Sequence, residues 1–293
     1  MEKGNKKQVR LILASGFILI IALLISSCGK ANDNNPPQHA ITQPSPDFTP
    51  GNAFAPEGLA VIEGTNIADS VRGDMNSDGN PEEIILTGVL QEAVDPLLHD
   101  VKITVKDGKT GNFATASIGP DNVGYEPKLF IGSFTGAESN ELFVSVTTGG
   151  SGGIVVYSLL HYVDGQISPV ITQSDLNDGL PLTLTCSDGF KLTAEDKGTG
   201  YTAQIDLSKG TDDYVAMNIY DQKGKLVGDP NILLDGYSLM EAIDVNGDGL
   251  LELQGTQAIS VGAHANQVAR AESVWSVKDG KLQLLEEKVT PVN

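Results

Sequence analysis

Two short segments of the chain carry oxygen-bearing side chains at a spacing that suits a metal ion. Both read D-x-N-x-D-G-x-x-E, and an apolar run follows each. Oxygens at alternate positions can converge when the chain curls around a cation, and hard oxygen ligands in a flexible loop suit calcium. The predicted ligands are Asp74, Asn76, Asp78, Asn80 and Glu82 in loop 1 (residues 74–82), and Asp244, Asn246, Asp248, Leu250 and Glu252 in loop 2 (residues 244–252).

Both loops differ from EF-hand loops, which need a bidentate glutamate at the twelfth position. That position holds Ile85 in one loop and Gly255 in the other. The ninth-position glutamates are better candidates to complete the shell, and the seventh residue can offer its backbone carbonyl. Because Asp, Asn and Gly also favour ordinary turns, a plain turn is the alternative for each loop. We expect a bound ion to order the structure rather than to catalyse a reaction.

A third segment, loop 3 (residues 133–141), has the same frame with serine and alanine at the two aspartate positions. We expect it to keep the shape of the other loops without the ion. The interval from Asp74 to Ser133 is 59 residues, and that from Ser133 to Asp244 is 111, close to twice as long. A fourth, degraded copy is predicted near residues 187–189.

The order strand, D-x-N-x-D-G-x-x-E, strand resembles the FG-GAP or VCBS-type repeat. This is the calcium-loop repeat of integrin alpha-subunit propellers and of many bacterial surface proteins. Residues 72–86 match it well, whereas loop 2 has Ile243 in place of the preceding glycine. The resemblance implies calcium in the loops and a β-propeller in which each repeat supplies one four-stranded blade.

Strand-like runs with turn signals between them recur after the N-terminal region. The main predicted strands are residues 83–87, 101–106, 141–146, 154–163, 214–220 and 273–278. Asp-Gly pairs after several of them indicate hairpin turns, and only residues 238–242 favour a helical turn or two. We therefore predict an all-β fold, a propeller-like array of about four short antiparallel sheets, with an irregular β-sandwich as the alternative.

The N-terminus has the parts of a bacterial secretory signal. Four basic residues precede an apolar run over residues 11–25, and Ser26-Ser27-Cys28 follows. This arrangement resembles the lipobox of bacterial lipoproteins, which implies that Cys28 receives the lipid. A membrane-spanning helix needs roughly 20 apolar residues, so the run is short for a permanent span. An uncleaved N-terminal anchor is the alternative.

These features divide the chain into three parts. We predict a lipoprotein signal peptide over residues 1–27, a lipidated Cys28 that opens a disordered tether over residues 28–52, and a β-repeat domain over residues 53–293. The tether is polar and rich in proline, so it has little to bury. The resemblance to lipoproteins implies more than one acyl chain, palmitate among them, which anchors a protein stably at the extracytoplasmic face of the cell membrane.

The composition limits the partners of the protein. A formal net charge of −19 repels nucleic acid and favours cations. With Cys28 lipidated, Cys186 has no disulfide partner, and the alternating run before it indicates a buried position in a strand.

The sequence favours a membrane-anchored, calcium-binding module that binds an unidentified protein or glycan at the cell envelope. One alternative is an extracellular hydrolase or lyase, active on carbohydrate or peptide, which would need two carboxylates converging in a cleft. Another is an accessory subunit of an envelope complex, which would expose a large apolar patch. The sequence leaves catalysis open but favours a protein without enzymatic activity.

Overall fold

Alternating apolar and polar residues build short strands that pair with their neighbours in chain order. The structure is a computed structural model that describes residues 43–91, 95–137 and 139–292. Within these ranges the strands form four antiparallel sheets, and in each the strand order follows the sequence. The predicted all-β fold with several short antiparallel sheets is confirmed.

The elements run as follows. Sheet 1 contains β1 (Gln43–Pro44), β2 (Thr65–Gly73), β3 (Glu82–Leu90), β4 (Leu98–Lys106) and β5 (Phe113–Ser117). Sheet 2 contains β6 (Tyr125–Gly132), β7 (Glu141–Thr147), β8 (Val155–Val163) and β9 (Gln166–Pro169), and helix α1 (Gln173–Asn177) follows it. Sheet 3 contains β10 (Thr183–Ser187), β11 (Lys191–Asp196) and β12 (Tyr201–Asp206), followed by a 3₁₀ turn (Ser208–Gly210) and helix α2 (Thr211–Ala216). Sheet 4 contains β13 (Ile232–Ile243), β14 (Glu252–Val261), β15 (Gln267–Lys278) and β16 (Lys281–Pro291).

Sheet 2 carries apolar side chains on both faces and therefore contributes to two cores. In β7, Leu142 and Val144 join a cluster with Ile84 and Leu86 of sheet 1. Phe143 points the other way and packs in a cluster shared with sheets 3 and 4. Successive side chains of a strand face opposite sides of the sheet, so a single strand serves both cores. Burial of each such side chain contributes on the order of 2 kcal/mol.

Sheet 4 packs directly on sheet 2. The Leu251 N–H donates to the Ser133 carbonyl at 2.8 Å, and the Met240 N–H donates to the Tyr157 hydroxyl at 2.7 Å. Sheet 3 joins the same core from the side of sheet 4, where the N–H of β16 residue 289 donates to the hydroxyl of β12 residue 201. Sheet 3 lies between sheets 2 and 4 in the sequence, but it does not keep them apart in the fold.

The predicted fourth loop copy near residues 187–189 is wrong. Ser187 pairs with Lys191 across a tight turn between β10 and β11, so the chain has no room there for a nine-residue loop. Two local predictions also fail, because residues 214–220 begin inside α2 and residues 238–242 belong to β13.

Residues 43–52 form part of the fold, which corrects the predicted tether. The short strand β1 pairs with β2. The Ser70 hydroxyl donates to the Phe48 carbonyl, and the Gly51 N–H donates to the Ile67 carbonyl at 2.8 Å. Since these contacts extend sheet 1 along its β2 edge, the folded domain begins before the predicted boundary.

Cys28, the predicted signal peptide (residues 1–27) and residues 28–42 of the predicted tether lie outside the described residues. In the part of the chain that the structure describes, no helix is long and apolar enough to cross a membrane.

Candidate metal loops and the adjoining cleft

Loops 1, 2 and 3 occupy the same position in three of the sheets. Loop 1 joins β2 to β3, loop 3 joins β6 to β7, and loop 2 joins β13 to β14. In each loop the ninth-position glutamate is also the first residue of the following strand. The shared spacing in the sequence thus corresponds to a shared connection between strands.

The ninth-position glutamate closes each loop from inside the molecule. All three of these glutamates are buried, and Oε2 of each accepts a hydrogen bond from the N–H of the second loop residue. The N···Oε2 distances are 2.7 Å for Met75–Glu82, 2.7 Å for Phe134–Glu141 and 2.9 Å for Val245–Glu252. Of the predicted ligands, Glu82 and Glu252 therefore each commit one oxygen to the backbone.

The first-position aspartate holds the curl of the loop. In loop 1, Asp74 accepts from the Asp78 N–H at 3.2 Å through Oδ1 and from the Gly79 N–H at 2.9 Å through Oδ2. Loop 2 repeats the second bond, from the Gly249 N–H to Asp244 Oδ2 at 3.0 Å. The chain in both loops therefore turns around the first carboxylate, as the sequence pattern predicts.

The third and fifth side chains fold toward the backbone in the same manner. Asn76 Oδ1 accepts from the Asp78 N–H at 3.0 Å, and Asp78 Oδ1 accepts from the Asn80 N–H at 2.8 Å. In loop 2 the equivalent acceptors are Asn246 and Asp248 and the donors are Asp248 and Leu250, at 2.8 Å each. These are Asx turns, which a plain turn also forms, so they do not distinguish the two interpretations.

Glu82 has a feature that a plain turn does not explain. The residue is 0% exposed, and Oε1 makes no well-formed hydrogen bond among the described residues, although the Gly108 backbone N–H lies close enough to the carboxyl to lower its pKa. The pKa of Glu82 is raised above its ordinary value, mainly because the carboxyl is buried. The negative charges of Asp74 and Asp78 raise it further, whereas hydrogen bonding to the Met75 and Gly108 backbone lowers it. Burying a carboxylate is costly unless another group compensates its charge and its free oxygen.

Loop 3 supplies such a group from its own sequence. Its third residue, Thr135, donates its hydroxyl to Glu141 Oε1, while Glu141 Oε2 accepts from the Phe134 N–H. Both oxygens of Glu141 are thus satisfied without an ion. Loop 1 has Asn76 at the equivalent position, and that side chain accepts from the backbone instead.

The donor groups of loops 1 and 2 are all oxygens. Among the described residues, no three His, Cys, Asp or Glu side chains form a group that could hold a metal ion by themselves. An ion would therefore depend on two aspartates together with amide and backbone oxygens. This donor set fits calcium and does not fit zinc, which favours nitrogen and sulfur. The free Glu82 oxygen makes the fit better in loop 1.

The three loops form a hydrogen-bonded row. Asn140, the eighth residue of loop 3, donates from its backbone to the Met75 carbonyl at 2.9 Å and from its side chain to the Asp74 carbonyl at 3.1 Å. The backbone N–H of Leu251, the eighth residue of loop 2, donates to the carbonyl of Ser133, the first residue of loop 3. Loop 3 thus lies between the two candidate ion sites and contacts both.

A cleft of about 670 Å³ opens beside loop 1. Asn76 and Asp78 line one side, and Tyr162 and Asp164 of the β8–β9 hairpin line another. The Tyr162 hydroxyl donates to Asp107 Oδ2 at 3.0 Å, which joins the β4–β5 turn to sheet 2. The sequence analysis missed this cleft because its walls come from segments that are distant along the chain.

Comparison with known proteins finds a similarity that covers sheets 3 and 4. Residues 180–290 match the family model described as "YybI C-terminal domain". The chain is similar to a Bacillus subtilis (strain 168) protein described as "Uncharacterized protein YybI". The two are 28% identical over 205 residues, which are 70% of this chain and 77% of that protein. No solved structure matches the chain.

Proposed function

We propose that this chain is a calcium-binding module that a lipid on Cys28 anchors to the extracytoplasmic face of the cell membrane. Loops 1 and 2 hold calcium, and the ordered domain binds a protein or glycan ligand. In this proposal the ion stabilises the loops and takes part in no enzymatic reaction.

The contrast between Glu82 and Glu141 carries the proposal. Both carboxylates are buried and both close their loops with the same backbone bond. Thr135 satisfies the second oxygen in loop 3, where the aspartates are missing. In loop 1, where both aspartates are present, no hydroxyl reaches the corresponding oxygen, and it makes no well-formed hydrogen bond among the described residues. A cation bound by the aspartates would compensate this charge and oxygen together.

A catalytic role receives less support from the cleft. A glycoside hydrolase keeps one carboxylic acid protonated beside a second carboxylate. Asp107 has the opposite tendency, because the backbone N–H and the hydroxyl of Thr110 hold its pKa below the ordinary value. This tendency argues against Asp107 as the protonated acid of a hydrolase.

Calcium titration by calorimetry tests the proposal on the full-length chain, stripped of metal and held in detergent micelles. We expect binding of about two ions per chain. The melting temperature should rise by roughly 5 °C or more in excess calcium, since a ligand that binds only the folded state stabilises it. Asp78→Ala and Asp248→Ala should each remove one site.

Asp229→Ala is the matched control. Asp229 is exposed and accepts the Asn231 N–H at 2.9 Å, so it forms the same kind of turn outside the loops. This variant should keep both sites and the full thermal shift. Absence of binding at about 10 mM calcium, together with an unchanged melting temperature, would refute the calcium sites.

The lipid anchor is tested separately, by labelling bacterial cells that express the chain with an alkyne analogue of palmitate. We expect label on the wild-type protein and recovery in the membrane fraction, because multiple acyl chains anchor stably. Cys28→Ala should lose the label, whereas Cys186→Ala should keep it, since Cys186 is buried. Label that persists in Cys28→Ala would contradict the anchor.

A further inference from the structure

The cleft beside loop 1 presents polar groups that the fold itself does not use. Asn112, Ser139 and Asp164 line it, and their side chains have no hydrogen-bond partner among the described residues. Asn76 and Asp78 of loop 1 line the same space. Amide, hydroxyl and carboxylate groups without internal partners are available to a ligand that carries many hydroxyls.

Asp107 also lines the cleft, but its oxygens are already occupied. Oδ1 accepts from the Thr110 N–H at 2.7 Å and from the Thr110 hydroxyl at 2.8 Å, and Oδ2 accepts from Tyr162. Asp107 therefore connects the β4–β5 turn of sheet 1 to sheet 2. These donors are neutral, so Asp107 keeps its charge, but its oxygens have little room for further hydrogen bonds from a ligand.

The remaining lining residues disfavour an anion and offer one aromatic surface. The described lining contains no Lys or Arg, so no basic side chain there would offset the repulsion between an anionic ligand and the carboxylates of Asp78, Asp107 and Asp164. Phe113, the first residue of β5, lies at the wall with its side chain half-buried. An aromatic ring with a few placed polar groups is typical of small-ligand pockets, and the C–H face of a sugar ring can pack on it.

Loop 1 adds a second, independent observation at this cleft. The buried Glu82 oxygen without a well-formed hydrogen bond indicates a cation among the side chains of Asp74 and Asp78. Since Asp78 also lines the cleft, a cation held there would border the ligand space. Such an ion can accept hydroxyl oxygens as additional ligands, because calcium takes six to eight.

We propose that this cleft binds a neutral carbohydrate, with its hydroxyls contacting Asn112, Ser139, Asp164 and the calcium of loop 1. The inference rests on the proposed calcium site and deepens the proposed binding function. The proposal also gives the two ion sites different roles. Loop 1 borders the cleft, whereas the lining includes no residue of loop 2.

The test is binding of the full-length chain, in micelles, to a panel of neutral oligosaccharides built from glucose, mannose, galactose and N-acetylglucosamine. We expect binding of at least one member in calcium and its loss in chelator. Phe113→Ala and Asn112→Ala should each weaken that binding roughly tenfold or more, while the calcium stoichiometry and the thermal shift stay at wild-type values. Phe130→Ala, an aromatic that is 43% exposed and outside the cleft, is the matched control and should bind normally.

The readouts distinguish the two proposals. Two calcium ions bound with no oligosaccharide binding would overturn the carbohydrate site alone. Oligosaccharide binding that Phe113→Ala leaves intact, or binding of oligolysine in place of sugars, would overturn it as well. Loss of calcium binding in the unaltered chain would instead remove the proposed function on which the site rests.

Discussion

At the residue scale, a single polar side chain supplies backbone hydrogen bonds that a neighbouring strand would otherwise make. Asn177, the last residue of α1, accepts the Tyr157 N–H at 2.9 Å and donates to the Tyr157 carbonyl at 2.8 Å. It thereby gives one residue of β8 the pair of bonds that a neighbouring strand would supply. Its amide also donates to the Gln173 carbonyl at 2.7 Å.

Replacement of Asn177 should therefore be costly. Asn177→Ala leaves a partly buried N–H and carbonyl unpaired, and we expect a loss of about 2–3 kcal/mol in the free energy of unfolding. Chemical denaturation of the wild type and of each variant measures this loss. Asp178→Ala is the control, because Asp178 is the exposed neighbouring residue. The control should change stability by less than about 0.5 kcal/mol. Equal effects of the two changes would contradict the bridging role.

At the element scale, the strands were predictable wherever local pattern and turn chemistry agreed. Asp164-Gly165 and Asp279-Gly280 have positive φ at both residues, as a two-residue type I′ hairpin requires. The pairs Val163–Gln166 and Lys278–Lys281 close these turns. Here the sequence contains the whole geometric reason for the structure.

Other elements depended on contacts that the local pattern does not contain. Tyr214 was predicted in a strand, but it lies in α2, where its ring packs at 6.3 Å from Tyr220 in the core. Residues 238–242 have helical propensity, yet they continue β13 because pairing with β14 outweighs that preference. Tertiary packing decided both cases.

The candidate site likewise has one part that the sequence predicts and another that it does not. The D-x-N-x-D-G-x-x-E frame predicted three equivalent loops from a few residues each. The cleft could not be predicted, because Asp107 and Tyr162 are 55 residues apart and meet only when sheets 1 and 2 pack. The Thr135–Glu141 bond could have been suspected, since a hydroxyl at the third position replaces an amide of the other loops.

At the scale of the whole molecule, tyrosine hydroxyls link neighbouring sheets. Tyr162 joins sheet 2 to the β4–β5 turn, Tyr157 joins sheet 2 to sheet 4 at Met240, and Tyr201 joins sheet 3 to sheet 4. Tyr157 also stacks on Phe143 with ring centroids 5.3 Å apart. Ionisation of these hydroxyls would place charge within the contacts between sheets.

The stability of the fold should consequently fall in alkaline solution. Burial raises the pKa of Tyr157 from 10.0 to about 12, and burial together with the bond to Asp107 raises that of Tyr162 to about 12. Between these values the unfolded chain releases protons that the folded chain retains, so stability decreases as the pH rises. For Tyr157, a rise of this size corresponds to on the order of 2 kcal/mol lost across that interval.

Denaturant unfolding from about pH 8 to about pH 12, with tyrosinate absorbance recorded at each pH, measures this dependence. Tyr157→Phe should be less stable at neutral pH by about 1–2 kcal/mol, because the Met240 N–H loses its acceptor. Its stability should nevertheless depend less steeply on pH than that of the wild type, since one buried titrating group is gone. An unchanged slope in this variant would show that ionisation of Tyr157 does not control the alkaline transition.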